Sequence, residues 1–135
     1  MKASTREQRL LLFAHHLEEL CNAPPGSALV FEIPGRPLAY VQFERTSEGL
    51  KGEVGSGDWG PRKKARPLPP TALDRLRAMG WQVPSSLRER NPSKTFPSGD
   101  PQAIALEIEQ IFLEVYRCPP DYTVRTEGVL RGPLK

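Results

Sequence analysis

From Leu29 to Val54, apolar side chains recur at every second position through three short runs, and only turn-forming residues separate the runs. Leu29, Phe31 and Ile33 alternate with Val30 and Glu32. Ala39, Val41 and Phe43 alternate with Leu38, Tyr40 and Gln42, and Leu50 and Val54 alternate with Lys51 and Glu53. A period of two places each set on one side of a strand, the apolar set toward a core. Pro34-Gly35 supplies the central residues of a type II turn, and Ser47-Glu48-Gly49 a tight hairpin. Parallel strands need a crossover of about a dozen residues or more. Links this short leave one solution, an antiparallel meander with strands over Leu29–Ile33, Leu38–Glu44 and Leu50–Gly55.

Helical periodicity brackets the meander. Ser4 or Thr5 can cap a first helix reaching about Leu20, with Leu10, Phe13, Ala14, Leu17, Leu20 and Cys21 on one face and Leu11 and Leu12 widening it. Pro24-Pro25-Gly26 ends it. After the meander, Leu73, Leu76 and Met79 form the stripe of a short helix, with Thr71 and Asp74 spaced as a capping box and Pro69 and Pro70 in or before its first turn. Gly80 can take the left-handed conformation that stops this helix, and Trp81 is expected to pack back on Leu76. Asp100-Pro101 opens a last helix running to about Tyr116. Its stripes are Ile104, Ile108, Ile111, Val115; Ala105, Phe112, Tyr116; and Leu106 with Leu113. That is more apolar surface than one covered side requires, so Leu106, Phe112 and Leu113 are candidate dimer contacts.

The order helix, meander, helix, irregular stretch, helix is α+β: an N-terminal helix, an antiparallel sheet of three or more strands, and two further helices packed on the sheet. The 135 residues suit one domain. Within it, residues 55–70 read as a basic, Pro/Gly-rich loop or short edge strand around Trp59, and 84–99 as an irregular connection that can hide one or two short strands. The tail from Asp121 is expected to add a strand around Tyr122 to Arg125 and then fray over 125–135.

Hydrophobic content of 38% and charged content of 26% are those of a globular protein. No apolar run approaches the roughly 20 residues of a membrane span. Met1 to Glu7 lacks the basic-then-apolar order of a signal peptide, so a cytoplasmic location is expected. Fifteen prolines, with asparagine only at 22 and 91, hint at a thermophilic source. The net charge of +3 permits nucleic-acid binding without arguing for it.

Chemistry-bearing patterns are sparse. Cys21 and Cys118 each fall near a helix end. A bridge between them stays open, while a reducing cytosol favours two free thiols. No zinc-type Cys/His spacing, nucleophile elbow or phosphate loop is present. Neighbouring helical residues point about 100° apart, so His15 and His16 are expected not to share a metal. The expectation is therefore a non-enzymatic protein without catalytic residues, metal or cofactor. Trp59 with Arg62, Lys63, Lys64 and Arg66 could stack a base and hold phosphates, which makes nucleic acid the alternative partner. The ordinary reading of that cluster is a solvated loop whose charges prevent edge-to-edge association.

The strands Tyr40-Val41-Gln42-Phe43 and Lys51-Gly52-Glu53-Val54-Gly55-Ser56, the segment Leu73-Asp74-Arg75-Leu76-Arg77-Ala78-Met79-Gly80-Trp81-Gln82-Val83-Pro84, Asn91, and the helix Ala103 to Tyr116 followed by Cys118-Pro119-Pro120 together resemble the TY-Chap domains, grouped with type III secretion chaperones and YbjN-like proteins. The similarity spans most of residues 38–122, and the Gly-Trp-x-x-Pro piece is its most specific part. It implies an often dimeric α+β domain that binds peptide or unfolded protein segments without catalysis. With that resemblance and the exposed-looking aromatics Trp59 and Phe96, Tyr40, Phe43, Trp59 and Phe96 are candidate partner contacts; Leu76, Gly80 and Trp81 are structural, as a helix stop and its hydrophobic plug. The basic, proline-rich stretch from Gly60 to Pro70 departs from the pattern.

Overall fold

The computed structural model describes residues 2–56, 68–85, 90–97 and 100–132, the side chains of 37 and 38 aside. The elements are β1 (Lys2–Ala3), α1 (Arg6–Cys21), β2 (Ala28–Ile33), β3 (Arg36–Thr46), β4 (Gly49–Val54), α2 (Pro70–Ala78), β5 (Ser93–Phe96), α3 (Pro101–Gln110) and β6 (Val124–Arg125). The turn at Pro34-Gly35 carries Gly35 at φ +83°, as a type II geometry requires, and Thr46 pairs with Gly49 across the second hairpin. The predicted meander is the centre of a six-stranded sheet of order β1-β6-β2-β3-β4-β5, antiparallel throughout. The irregular stretch over 84–99 does contain one strand, β5, paired to β4.

The three helices among the described residues lie on one side of the sheet. Leu29, Phe31, Ala39, Val41, Phe43, Leu50 and Val54 are buried beneath them, joined by Phe13, Leu17 and Leu20 from α1, Leu76 from α2, and Ile104 and Ile108 from α3. Phe13 stands edge-on to Phe31 at 4.9 Å and stacks on Phe112 at 6.2 Å. Thr5 caps α1 in a full capping box with Gln8.

The start of α2 differs from expectation. Thr71 and Asp74 form no capping box: the helix begins at Pro70 with Pro69 as its cap and no side-chain bond. A residue before proline avoids the α region, so Pro69 is held extended (φ −68°, ψ 159°) and Pro70 becomes the first helical residue. Asp74 instead meets Arg77 at 2.9 Å. The helix stop is as read. Gly80 has φ +90°, its N–H donates to Arg77 O, and Trp81 N–H donates to Leu76 O at 3.0 Å, which is a Schellman motif. The Trp81 ring lies on Gly52 of β4 and edge-on to Phe96. A β-carbon built on Gly52 would come within 2.9 Å of the indole, so the glycine makes room for the ring.

α3 continues into a π-helical segment, Ile111–Val115, which ends with Arg117 at φ +57° and Cys118 N–H bonded to Phe112 O. The expected fraying after residue 125 is not found over 126–132. Leu130 and Ala28 exchange backbone hydrogen bonds at 2.8 and 2.9 Å, and Gly132 N–H donates to Ser27 Oγ. β6 is only two residues long, so the backbone at the start of β2 still needs partners, and the tail supplies them. Among the described residues no helix is long and apolar enough to cross a membrane.

Candidate functional site

With the helices on one side, no element among the described residues covers the other face of β2–β5. Its central positions are Val30 and Glu32 from β2, Tyr40, Gln42 and Glu44 from β3, Lys51 and Glu53 from β4, and Ser93 and Thr95 from β5, all half-buried or exposed. Signs alternate across it: Glu44 lies opposite Lys51, and Glu32 receives Arg125 Nε at 2.8 Å. At one end stands a polar knot. Asn91 Nδ2 donates to the Tyr40 hydroxyl at 3.0 Å, and Asn91 Oδ1 accepts from Ser56 N–H and Oγ–H at 3.2 and 3.1 Å. Burial raises the Tyr40 phenol above its ordinary value, so it stays protonated at neutral pH.

Among the described candidate partner contacts, Tyr40 alone lies on this face. Phe43 and Phe96 point the other way: Phe43 is fully buried, and Phe96 packs among Phe43, Trp81 and Leu50. Odd-numbered β3 residues and even-numbered β5 residues face the helices, so both lie off the open face: Phe43 is closed to a partner, and Phe96 is half-buried. Trp59, Arg62, Lys63, Lys64 and Arg66 lie outside the described residues. The two ends of their loop are nevertheless placed, since Leu68 N–H donates to Ser56 O at 3.0 Å. Of the candidate dimer contacts, Leu106 is 50% exposed and Leu113 half-buried, but Phe112 is fully buried against Phe13, Tyr116 and Tyr122 and cannot reach a second copy.

Glu107, Glu109 and Glu114 on the last helix read in the sequence as a solvated polar strip, but Glu109 is buried in an ionic cluster. Arg9, 1% exposed, binds Glu109 through Nε–Oε1 at 2.8 Å and Nη2–Oε2 at 2.7 Å. It also donates to the carbonyls of Ser4, Tyr122 and Pro120, so every guanidinium proton is used. The Tyr122 hydroxyl donates to Glu109 Oε1 at 2.6 Å, and the guanidinium sits 3.8 Å from the Tyr122 ring centre. Burial pushes the Glu109 carboxyl up, but the bonds from Arg9 and Tyr122 outweigh it and hold the group below its ordinary value. Burial pushes the Tyr122 phenol far up. A cluster so saturated holds α1, α3 and the tail together. Its sequence signature was Glu109 in line with Ala105, Phe112 and Tyr116 on an otherwise apolar row.

Cys21 and Cys118 are free, and burial raises both thiols above their ordinary value, which keeps them protonated and poorly nucleophilic. Cys21, Arg45, Glu48, Leu50 and Pro97 line a shallow groove of about 340 Å³. Arg45 is occupied there by the carbonyls of Cys21, Thr46 and Gly49. The expectation that His15 and His16 diverge is not met. With Glu19 they bring one ligand atom each to within 4.8 Å of one another.

Comparison with protein-family models, curated proteins and solved structures finds no match to this chain.

Proposed function

We propose that the chain is a non-enzymatic interaction module that receives a protein segment on the uncovered face of its sheet. The observation that carries this reading is the one-sided coverage of β2–β5 by the described helices, which leaves Val30, Tyr40, Gln42, Glu44, Lys51 and Thr95 as a continuous surface of half-buried and exposed side chains. Its charges are mixed, which suits a protein surface better than a polyanion or a lipid layer. The saturation of Arg9, Glu109 and Tyr122 by one another, and the raised thiols, leave those groups little to offer a reaction. The resemblance to TY-Chap domains points the same way.

Peptides selected from a random library on the purified protein should shift the amide resonances of Val30, Gln42, Lys51 and Thr95. Replacing Val30 and Gln42 together by Ala should weaken them by about 1–2 kcal/mol. Shifts confined to the helical layer, or no enrichment of any peptide, would remove the reading. A homodimer belongs to the same proposal, with Leu106 at the contact and Leu113 beside it; light scattering showing a strict monomer removes that part alone.

A nucleic-acid partner has one observation in its favour. The two ends of the segment carrying Trp59, Arg62, Lys63, Lys64 and Arg66 meet at one point, pinned by the Ser56–Leu68 bond and by Asn91. Loops presented from a rigid base commonly carry binding residues. If this loop binds phosphates, oligonucleotide affinity will fall steeply with salt and collapse when its four basic residues become Ala. Unchanged retention in that variant ends this alternative.

A further inference from the structure

We propose that His15, His16 and Glu19 form a binding site for one divalent transition-metal ion of the zinc class at the edge of α1, between its exposed side and the tail that covers His16. The site is built from one helix, yet neighbouring histidines converge because they use different ring nitrogens. His15 is exposed and reaches back with its far nitrogen, placing Nε2 3.3 Å from Glu19 Oε1. His16 is buried, 5% exposed, and presents its near nitrogen, with Nδ1 2.8 Å from the same oxygen. All three donor atoms lie within 4.8 Å of one another. Zinc takes imidazole nitrogen and carboxylate oxygen at about 2.0–2.2 Å, so donors around a tetrahedral ion stand roughly 3.3 Å apart. Two of the separations are already near that value, and a rotation of the exposed His15 ring closes the third.

The residue types and their surroundings favour this class of ion. Two imidazoles and one carboxylate suit zinc, cobalt, nickel or copper, whereas calcium and magnesium call for a shell of oxygens. His16 is fixed by burial, and the tail passes over it so closely that a β-carbon on Gly128 would stand 3.7 Å from its Cε1. One donor is thus held in place before the ion arrives, and only two exposed side chains have to be ordered. Water completes the coordination, which leaves an open position typical of sites that exchange a ligand. The site lies on the helical layer, on the opposite side of the sheet from the proposed partner face.

Titration of the metal-free full chain with Co²⁺, followed by visible absorption, and with Zn²⁺, followed by calorimetry, tests the assignment. The expected result is one equivalent bound, reversed by a chelator, with affinity reduced about tenfold or more in His15→Asn and in Glu19→Gln. Both positions are exposed, so these variants should keep the wild-type circular dichroism spectrum. Cys21→Ser should bind as the wild type does. No binding, binding of wild-type strength in both His15→Asn and Glu19→Gln, or loss of binding in Cys21→Ser while His15→Asn retains it would overturn the proposal.

Discussion

Replacing Glu109 by Gln will lower the stability of the fold by about 3–5 kcal/mol, because it leaves the buried Arg9 guanidinium without its counter-charge. The sign of the pH dependence follows from the direction of the carboxyl shift. Arg9 and Tyr122 hold Glu109 below its ordinary value against the upward push of burial. The stabilisation is therefore complete above the unfolded carboxylate value of about 4.3 and is lost as pH falls through the lower folded value. Denaturant unfolding of the wild type and Glu109→Gln, followed from neutral pH into the acid range, should show a gap that narrows with acid. A gap that widens with acid, or none at neutral pH, contradicts this account. The double substitution Arg9→Met with Glu109→Leu should be less harmful than either single loss, since it removes both charges and fills the space with apolar groups.

Trp81→Ala will cost about 3–5 kcal/mol. The ring is buried over Gly52 and against Phe96, and it joins the end of α2 to the outer strands of the sheet. Small residues cannot fill that space, because Gly52 has no side chain to move into it. Trp81→Phe should be much milder. The buried indole Nε1 has no hydrogen-bond partner among the described residues, so deleting it removes an unsatisfied donor along with some packing. Thermal or denaturant melts of the two variants give the comparison; equal losses in Ala and Phe would mean that packing is not what Trp81 contributes.

Much of this was legible in the residues. The alternation from Leu29 to Val54 leads directly to β2, β3 and β4, because a period of two and short links admit only an antiparallel meander. Thr5, Asp100 and Gly80 mark helix ends by local hydrogen bonding and local dihedral preference, and all three do so in the structure. The Thr71–Asp74 capping box failed on a rule equally local, the effect of Pro70 on Pro69. The candidate site was less legible. Alternation turns Phe43 with Ala39 and Val41 toward the core, and the structure buries it there; Phe96 lies in a stretch without a readable period, so only the packed sheet shows which way it faces. Phe112 looked like surplus apolar surface because the sequence does not show Tyr122 returning to cover it.

The local elements of this protein, then, are the work of the sequence read over short distances: strand period, turn residues and helix ends each need only a few neighbouring side chains to specify them. What the tertiary structure alone decided are the contacts between segments far apart in the chain. It brought Arg9 to Glu109 and Tyr122, Asn91 to Tyr40 and Ser56, and the tail to the edge of β2. It also turned two neighbouring histidines onto one carboxylate by burying one ring and leaving the other free to rotate. Those arrangements depend on which faces are closed to water, and closure is a property of the packed layers rather than of any stretch of residues.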